Sequence, residues 1–437
     1  MRRDGLAGAS DTGSGPAARP VGARERLALI DVVRGFALGG VFISNVNVWF
    51  SGRVLLPKPR LEALDSGTVD VVAGYLYRVL VSGKLVTIFS LLFGLGFAVH
   101  LLRAEERGGS VVGIYARRLG VLLCIGAAHA FGIWYGDILH LYALLGFALL
   151  LFRRSSDRAL LFWGFALTLA APLVSATLEK YLPVLLTSRE AAEAAEKAAM
   201  AEAERVKAET LAAFEGTSYV AALRAGAVFM RHEFWTPNAL GFWAATLGKF
   251  LLGFYAGRRR LFHEPEEHLP LFRQLLYWGL AAGVLGNGFF TIFRYLSRGQ
   301  LSPRELSWGF LLQGVSSIAT LGLALFYIAA MTLLFQRATW RRLLSALAPA
   351  GRMALTNYLS QSVIAVFLFN GFGLGLIGKL GSAVTIGLTS GLFAAQMLVS
   401  HLWLSRFRFG PTEWVWRSLT YGRPQPMRRD PSARGST

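Results

Sequence analysis

The stretch RRLGVLLCIGAAHAFGIWYGDILHLY, residues 117–142, holds two histidines and a carboxylate close together in an otherwise apolar run. His129 and Asp137 are the residue types that general-base chemistry uses. The carboxylate fixes the imidazole tautomer and stabilises the imidazolium formed when a proton is taken. Trp134 lies between them and His140 just beyond. Lys84, opening KLVTIFSLLFGLGF, and Asn45, late in DVVRGFALGGVFISNVNVWF, are expected at a similar depth, where either can steady an oxyanion. Plainer readings stand beside these: a histidine satisfied by neighbouring helices, and a lysine whose ammonium snorkels to the interface. No metal site is expected, because His129 and His140 are separated in sequence with no third ligand adjacent, and Cys124 is the single cysteine. A second group is basic: Arg34, Arg117, Arg118 and Arg352. Arginines can hold the phosphates of a nucleotide-like donor, or simply anchor helix ends at the inner face of a membrane. Asp31 and Arg34, three apart on a helix, read equally as an ion pair that pins a helix end.

The elements that must position these groups are membrane helices. The chain has 437 residues, 54% hydrophobic and only 16% charged, with a mean hydropathy of +0.46. A soluble domain carries about 25% charged residues, so this chain lacks the polar surface to face water. Apolar runs near the length of about 20 residues that spans a bilayer recur at 30–50, 82–102, 118–135, 138–152, 159–178, 239–257, 270–293, 307–335, 350–370 and 383–404. The fold class expected is all-α: a polytopic integral membrane protein of about ten spans. Residues 68–80 read as an interfacial helix leading into the second span, and Gly35-x-x-x-Gly39 as a close-packing stripe.

The net charge of +19 falls mainly in arginine clusters next to alternate span ends, such as Arg117–Arg118, Arg258–Arg260 and Arg337–Arg342. That is a topology signal with both termini cytoplasmic, and it removes nucleic acid as a partner. Membrane lipid is the partner that remains.

Residues 1–26 and 425–437 read as disordered cytoplasmic tails; Arg2 and Arg3 are followed by no apolar segment of signal-peptide type. Two membrane halves, 27–178 and 237–424, flank an insertion at 179–236 outside the cytoplasm. Its Ala/Glu-rich helix is expected to be capped by Thr187 with Glu190, braced by Glu193 and Lys197, and ended by Gly216. It reads as a solvated spacer or lid. In the second half, Asn357, Tyr358 and Gln361 are expected to bond across helices. The segment 406–422, with Trp414 and Trp416, suits an interface helix whose Glu413 meets an inner arginine. Gly373, Gly375 and Gly378 satisfy GxGxxG, but no strand precedes them, so no dinucleotide site is read there.

Several of these stretches carry a resemblance. Asp31-x-x-Arg34-Gly35-Phe36-Ala37, Leu91-Leu92-Phe93-Gly94-x-Gly96-Phe97, Arg117-Arg118-Leu119 with His129 and Trp134, and Gly136-Asp137-Ile138-Leu139 run in order. They continue as Gly351-Arg352-Met353-Ala354-Leu355-Thr356-Asn357-Tyr358-x-x-Gln361-Ser362 and Gly410-Pro411-x-Glu413-Trp414-x-Trp416-Arg417. The set resembles the YeiB family of bacterial membrane proteins over about 27–424, its C-terminal half matching a domain of unknown function.

That family is distantly similar to transmembrane acyltransferases, including the heparan-glucosaminide acetyltransferase group. The resemblance implies a multi-pass protein of the bacterial inner membrane. It would take an acyl group from cytoplasmic acyl-CoA, as co-substrate rather than bound cofactor, to a small-molecule or glycan acceptor at the outer face. Heparan-type enzymes place a histidine in the loop after the first span; residues 51–69 here contain none, which leaves His129 as the base. The alternative is a transporter or export component without acyl-transfer chemistry.

Overall fold

In hydrocarbon every backbone N–H and C=O has to be satisfied within its own segment, so the apolar runs become helices. The structure, a computed structural model, describes residues 28–106, 111–296 and 309–429. The first half consists of α1 (Ala28–Asn45, continued by a π turn to Phe50), α2 (Lys58–Leu64), α3 (Thr68–Leu76), α4 (Lys84–Glu106), α5 (Val111–Gly132), α6 (Leu139–Leu151) and α7 (Asp157–Leu186). A helical hairpin follows, α8 (Arg189–Glu215) and α9 (Tyr219–Phe234). The second half holds α10 (Pro237–Arg258), α11 (Leu269–Leu296), α12 (Gly309–Phe335), α13 (Ala338–Leu344), α14 (Ala348–Arg352), α15 (Ala354–Phe369), α16 (Ser382–Arg406) and α17 (Pro411–Tyr421).

Among the described residues, eight helices are long and apolar enough to cross a membrane. The ten expected runs thus resolve into these eight and two shorter helices, α6 of 13 residues and α15 of 16. The protein is an all-α polytopic membrane protein. Bulky apolar side chains exposed on the outer helices, such as Trp163 on α7, Trp278 on α11, Phe367 on α15 and Leu398 on α16, are lipid-facing rather than faults of packing. The lead-in expected at 68–80 is α3.

Helix pairs approach closely where glycine allows it. Gly94 on α4 lies against the backbone of Phe250, and Gly253 on α10 against that of Leu91, so a Cβ at either would collide with main chain. The expected stripe on α1 works the same way. Gly35 meets the Leu347 carbonyl and Gly39 the Phe393 ring.

Three expectations about the connections need correction. The fifth span does not end near 178, because α7 continues to Leu186 with Pro172 and Pro183 inside it. The next helix is capped by Ser188, whose hydroxyl accepts from the Ala191 amide at 3.2 Å, and Glu193 pairs with Arg189 at 2.8 Å instead of Lys197. Gly216 does end that helix. Nor is the hairpin a solvated spacer, the first of the two readings of it; its packing fits the second, a lid. Leu211, Phe214, Phe229 and Met230 are buried in one cluster with Phe50, Trp134 and Tyr135, so α8 and α9 form a cap on the bundle. The C-terminal tail is ordered through Arg429: the Arg408 amide donates to the Met427 carbonyl at 2.8 Å, and Trp414 Nε1 donates to that of Gln425 at 2.7 Å. The tail expected at 1–26, and the part of the one expected at 425–437 beyond Arg429, lie outside the described residues.

Candidate functional site

Helix α5 stops at Gly132, where the Ile133 and Trp134 amides both donate to the His129 carbonyl at 2.9 Å. The turn that follows packs back on α5 at Gly126, where a Cβ would strike the His140 backbone. Asp137 then starts α6, accepting the His140 amide at 2.8 Å, a favourable place for an anion. The fold of this turn delivers both ring contacts. His129 Nδ1 lies 2.8 Å from Asp137 Oδ1, and His140 Nδ1 lies 2.9 Å from Oδ2. The Tyr358 hydroxyl, from α15, reaches Oδ1 at 3.5 Å and accepts the Ile138 amide at 3.3 Å.

A carboxylate only accepts, so the Nδ1 of His129 carries its proton and the Nε2 of the neutral ring is left with a lone pair. That Nε2 is buried and has no partner among the described residues. With His129 only 2% exposed, the arrangement is an Asp–His pair whose basic nitrogen is uncommitted. The two ring nitrogens facing Asp137 are spent on its carboxylate. No set of three or more side chains among the described residues is placed to hold a metal.

Below this pair, a chamber of about 350 Å³ runs between α1, α4, α5, α6, α15 and α17. Along α4 its wall extends from Val86 to Arg103, about 25 Å at 1.5 Å per residue. One end is basic, lined by Arg34, Arg103, Arg118, Arg352 and Arg417 with His100 and His263. The middle is apolar, with Leu38, Val41, Phe89, Leu92, Phe93, Phe97 and Leu122. The far end is lined by Ile138, Leu139, Tyr142 and Tyr358. Tyr358 therefore touches the chamber on one side and Asp137 on the other.

Two carboxylates line the basic end, and both are engaged. Asp31 accepts from Arg34 at 3.0 Å, the expected pair. Glu413, expected as a partner for an inner arginine, directs its hydrogen bonds to α15. It caps α15, accepting the Leu355 and Thr356 amides at 2.7 and 3.1 Å and the Thr356 hydroxyl at 2.5 Å. Helix α17 also fixes Arg118: Trp416 donates its indole N–H to the Arg118 carbonyl at 2.9 Å, and the guanidinium stacks 3.6 Å from the Trp416 ring. Burial and the charges of Arg260 and Arg103 hold the His263 imidazole below its ordinary pKa.

Burial pushes the Glu413 carboxyl above the usual carboxylate range, against the pull of its hydrogen bonds. The folded chain therefore holds that proton more tightly than the unfolded chain. Glu413's favourable linkage is complete below the unfolded carboxyl pKa and is lost as pH rises through the folded one. Glu413→Gln should flatten that part of the stability profile. Thermal unfolding in detergent from pH 4 upward checks it; a variant profile parallel to the wild type contradicts it.

The structure brings together only part of the expected site. His129 and Asp137 meet. Lys84 does not join them: its ammonium donates to the Arg78 carbonyl at 2.7 Å and to Asn287 at 3.3 Å, toward α11. Asn45 ends α1 with no side-chain hydrogen bond to either. Of the arginines, Arg34, Arg118 and Arg352 line the chamber, whereas Arg117 is exposed outside it. His140, Tyr142, His100, Arg103 and Arg417 are additions. Asn357 and Gln361 bond across to α16 as expected, to Ser400 and Gln396, each at 2.9 Å.

Over 421 residues the chain is 33% identical to "Uncharacterized protein YxaH" of Bacillus subtilis (strain 168), covering 94% of this chain and 98% of that protein. It is 27% identical over 409 residues to "Uncharacterized protein YeiB" of Escherichia coli (strain K12), covering 91% and 96%. Residues 256–423 match the family described as "Protein of unknown function (DUF418)". The chain belongs to the YeiB family. Another relative, an "Uncharacterized 39.9 kDa protein in amylase 3'region" of Bacillus acidopullulyticus, is 30% identical over 410 residues, 93% of this chain and 97% of that one. No solved structure matches. The domain match begins at the end of α10, so the His129–Asp137 pair lies outside it and the Arg352 and Glu413 segments inside.

Proposed function

We propose that this YeiB-family chain is an acyltransferase of the bacterial inner membrane, with the basic end of the chamber and both termini cytoplasmic. The chamber takes an acyl-CoA, phosphates among Arg34, Arg118 and Arg352 and the thioester arm along the apolar wall. The observation that supports this most is the gradient within one cavity: five arginines at one end, and at the other a tyrosine bonded to the carboxylate of an Asp–His pair. Guanidinium groups suit phosphate by charge and by their forked donors.

In the proposed reaction an acceptor hydroxyl or amine from the outer side loses its proton to His129 Nε2. Its oxygen or nitrogen bonds to the acyl carbon, the carbon–sulfur bond breaks, and the CoA sulfur takes the proton back from the imidazolium. Asp137 steadies the positive ring, with His140, the His140 amide and Tyr358 holding the carboxylate. Lys84, tied to Asn287, is not given a role; neither is Asn45.

The test uses proteoliposomes with acetyl-CoA supplied on the side of the basic end. Formation of free CoA thiol, dependent on an acceptor preparation from the outer face of the cell, is expected. Substrate uptake with no thiol released would instead make the chain a transporter and end the acyltransferase reading.

A further inference from the structure

Helix α4 faces the chamber with one stripe. Val86, Phe89, Phe93, Gly96, His100 and Arg103 follow one another at steps of three and four residues, all half-buried and all in the chamber wall. That spacing keeps residues on a single helix face. Five of the six bring a side chain to the wall and Gly96 brings none. It stands where the basic end gives way to the apolar part, about 10 Å from Arg103 and about 15 Å from Val86 along the axis.

This glycine differs from those that let helices approach. A Cβ at Gly96 would meet nothing within 4 Å, whereas at Gly94, two residues earlier, it would strike the Phe250 carbonyl. Gly351, the other glycine in the chamber wall, is likewise held against backbone, at the Asp31 carbonyl. Packing therefore asks for no glycine at 96, and inside a helix glycine is less stable than alanine.

We infer that Gly96 is the specificity-determining position of the chamber: the recess in the α4 wall through which the arm of a phosphate-headed ligand threads from the arginines into the apolar part. The inference rests on the acyl-CoA reading and assigns it a residue. In coenzyme A the diphosphate leads at once into a carbon bearing two methyl groups, the widest point of the arm. The wall must then be recessed just where the arm leaves the phosphates. A side chain at 96 would occupy that path, at a position where the protein itself has room for one.

The test is calorimetry on the full chain in detergent with coenzyme A and with adenosine 3′,5′-bisphosphate, which keeps the nucleotide and lacks the arm. Gly96→Leu should bind coenzyme A at least about tenfold more weakly, the usual cost of a methylene with no room in a pocket, and the bisphosphate as well as wild type does. Gly96→Ala should melt no lower than wild type, and serves for binding should the leucine variant fail to fold. Undiminished coenzyme A binding, an equal loss of both ligands, or a lower melting temperature for Gly96→Ala overturns the inference. A second readout needs no nucleotide. In a Cys124→Ser background, which removes the single native cysteine, the thiol of Gly96→Cys should react with an anionic methanethiosulfonate at least about tenfold faster than with a cationic one, because the reagent must pass the arginines. A thiol that reacts so in a chain that binds no coenzyme A leaves the recess standing and removes the acyl-CoA reading. A thiol that resists the reagent, or shows no preference for the anion, overturns the recess.

Discussion

Acyl transfer in proteoliposomes is expected to fall by about 10²–10⁴ when His129 becomes Ala, the usual value of a positioned general base. Asp137→Asn should come close to that loss. The amide keeps the shape of the carboxylate but removes its charge and can present a donor to Nδ1, favouring the wrong tautomer; in a serine protease triad the same change costs about 10⁴. His140→Ala is expected to cost less, because His140 holds the other carboxylate oxygen, at 2.9 Å, and not the reacting ring. The control is donor binding, which both active-site variants should retain since the chamber arginines are untouched. Transfer within a few-fold of wild type in His129→Ala removes that residue from the mechanism.

The second large effect belongs to the basic end. Hydrogen bonds to charged groups contribute about 1.5–3 kcal/mol each, so Arg118→Ala with Arg352→Ala should weaken coenzyme A binding by about 10²–10⁴. Arg118→Lys should not restore it. A lysine cannot stack flat on Trp416 or offer a fork of donors, and here the stacked distance is 3.6 Å. Arg117→Ala should leave binding near wild type, since that side chain is exposed outside the chamber. Calorimetry in detergent checks all three; equal losses for Arg117 and Arg118 would mean that general positive charge, not the chamber, attracts the ligand.

The contrast between those two neighbours shows where sequence reasoning reached its limit. The spans were legible because apolar runs of spanning length mean helices in a membrane, and His129 with Asp137 were legible because eight positions separate them across one helix end and its turn. A similar depth was expected for Lys84 and Asn45 from their places in the spans, but direction around the helix could not be read. At 3.6 residues per turn, adjacent residues such as Arg117 and Arg118 point about 100° apart, and only packing decides which one faces the chamber. Tyr358 is 221 positions from Asp137, a pairing no local pattern reveals. The α8–α9 hairpin misled for a different reason. Its Ala/Glu composition is that of a solvated helix, yet a few apolar residues on one face, among them Leu211 and Phe214, are enough to seat it over Trp134 and Tyr135. Glu413 was expected by its charge to meet an inner arginine, and its hydrogen bonds instead cap α15.

Acyl-CoA occupancy of the chamber is the claim on which the mechanism stands, and the melting temperature of the detergent-purified protein with and without acetyl-CoA tests it most directly. A ligand at 100 times its Kd stabilises the folded state by about 2.7 kcal/mol, so the wild type should melt measurably higher with acetyl-CoA, and the Arg118→Ala, Arg352→Ala double variant should not. A wild-type transition unmoved by millimolar acetyl-CoA, or one moved equally in the double variant, would contradict the account.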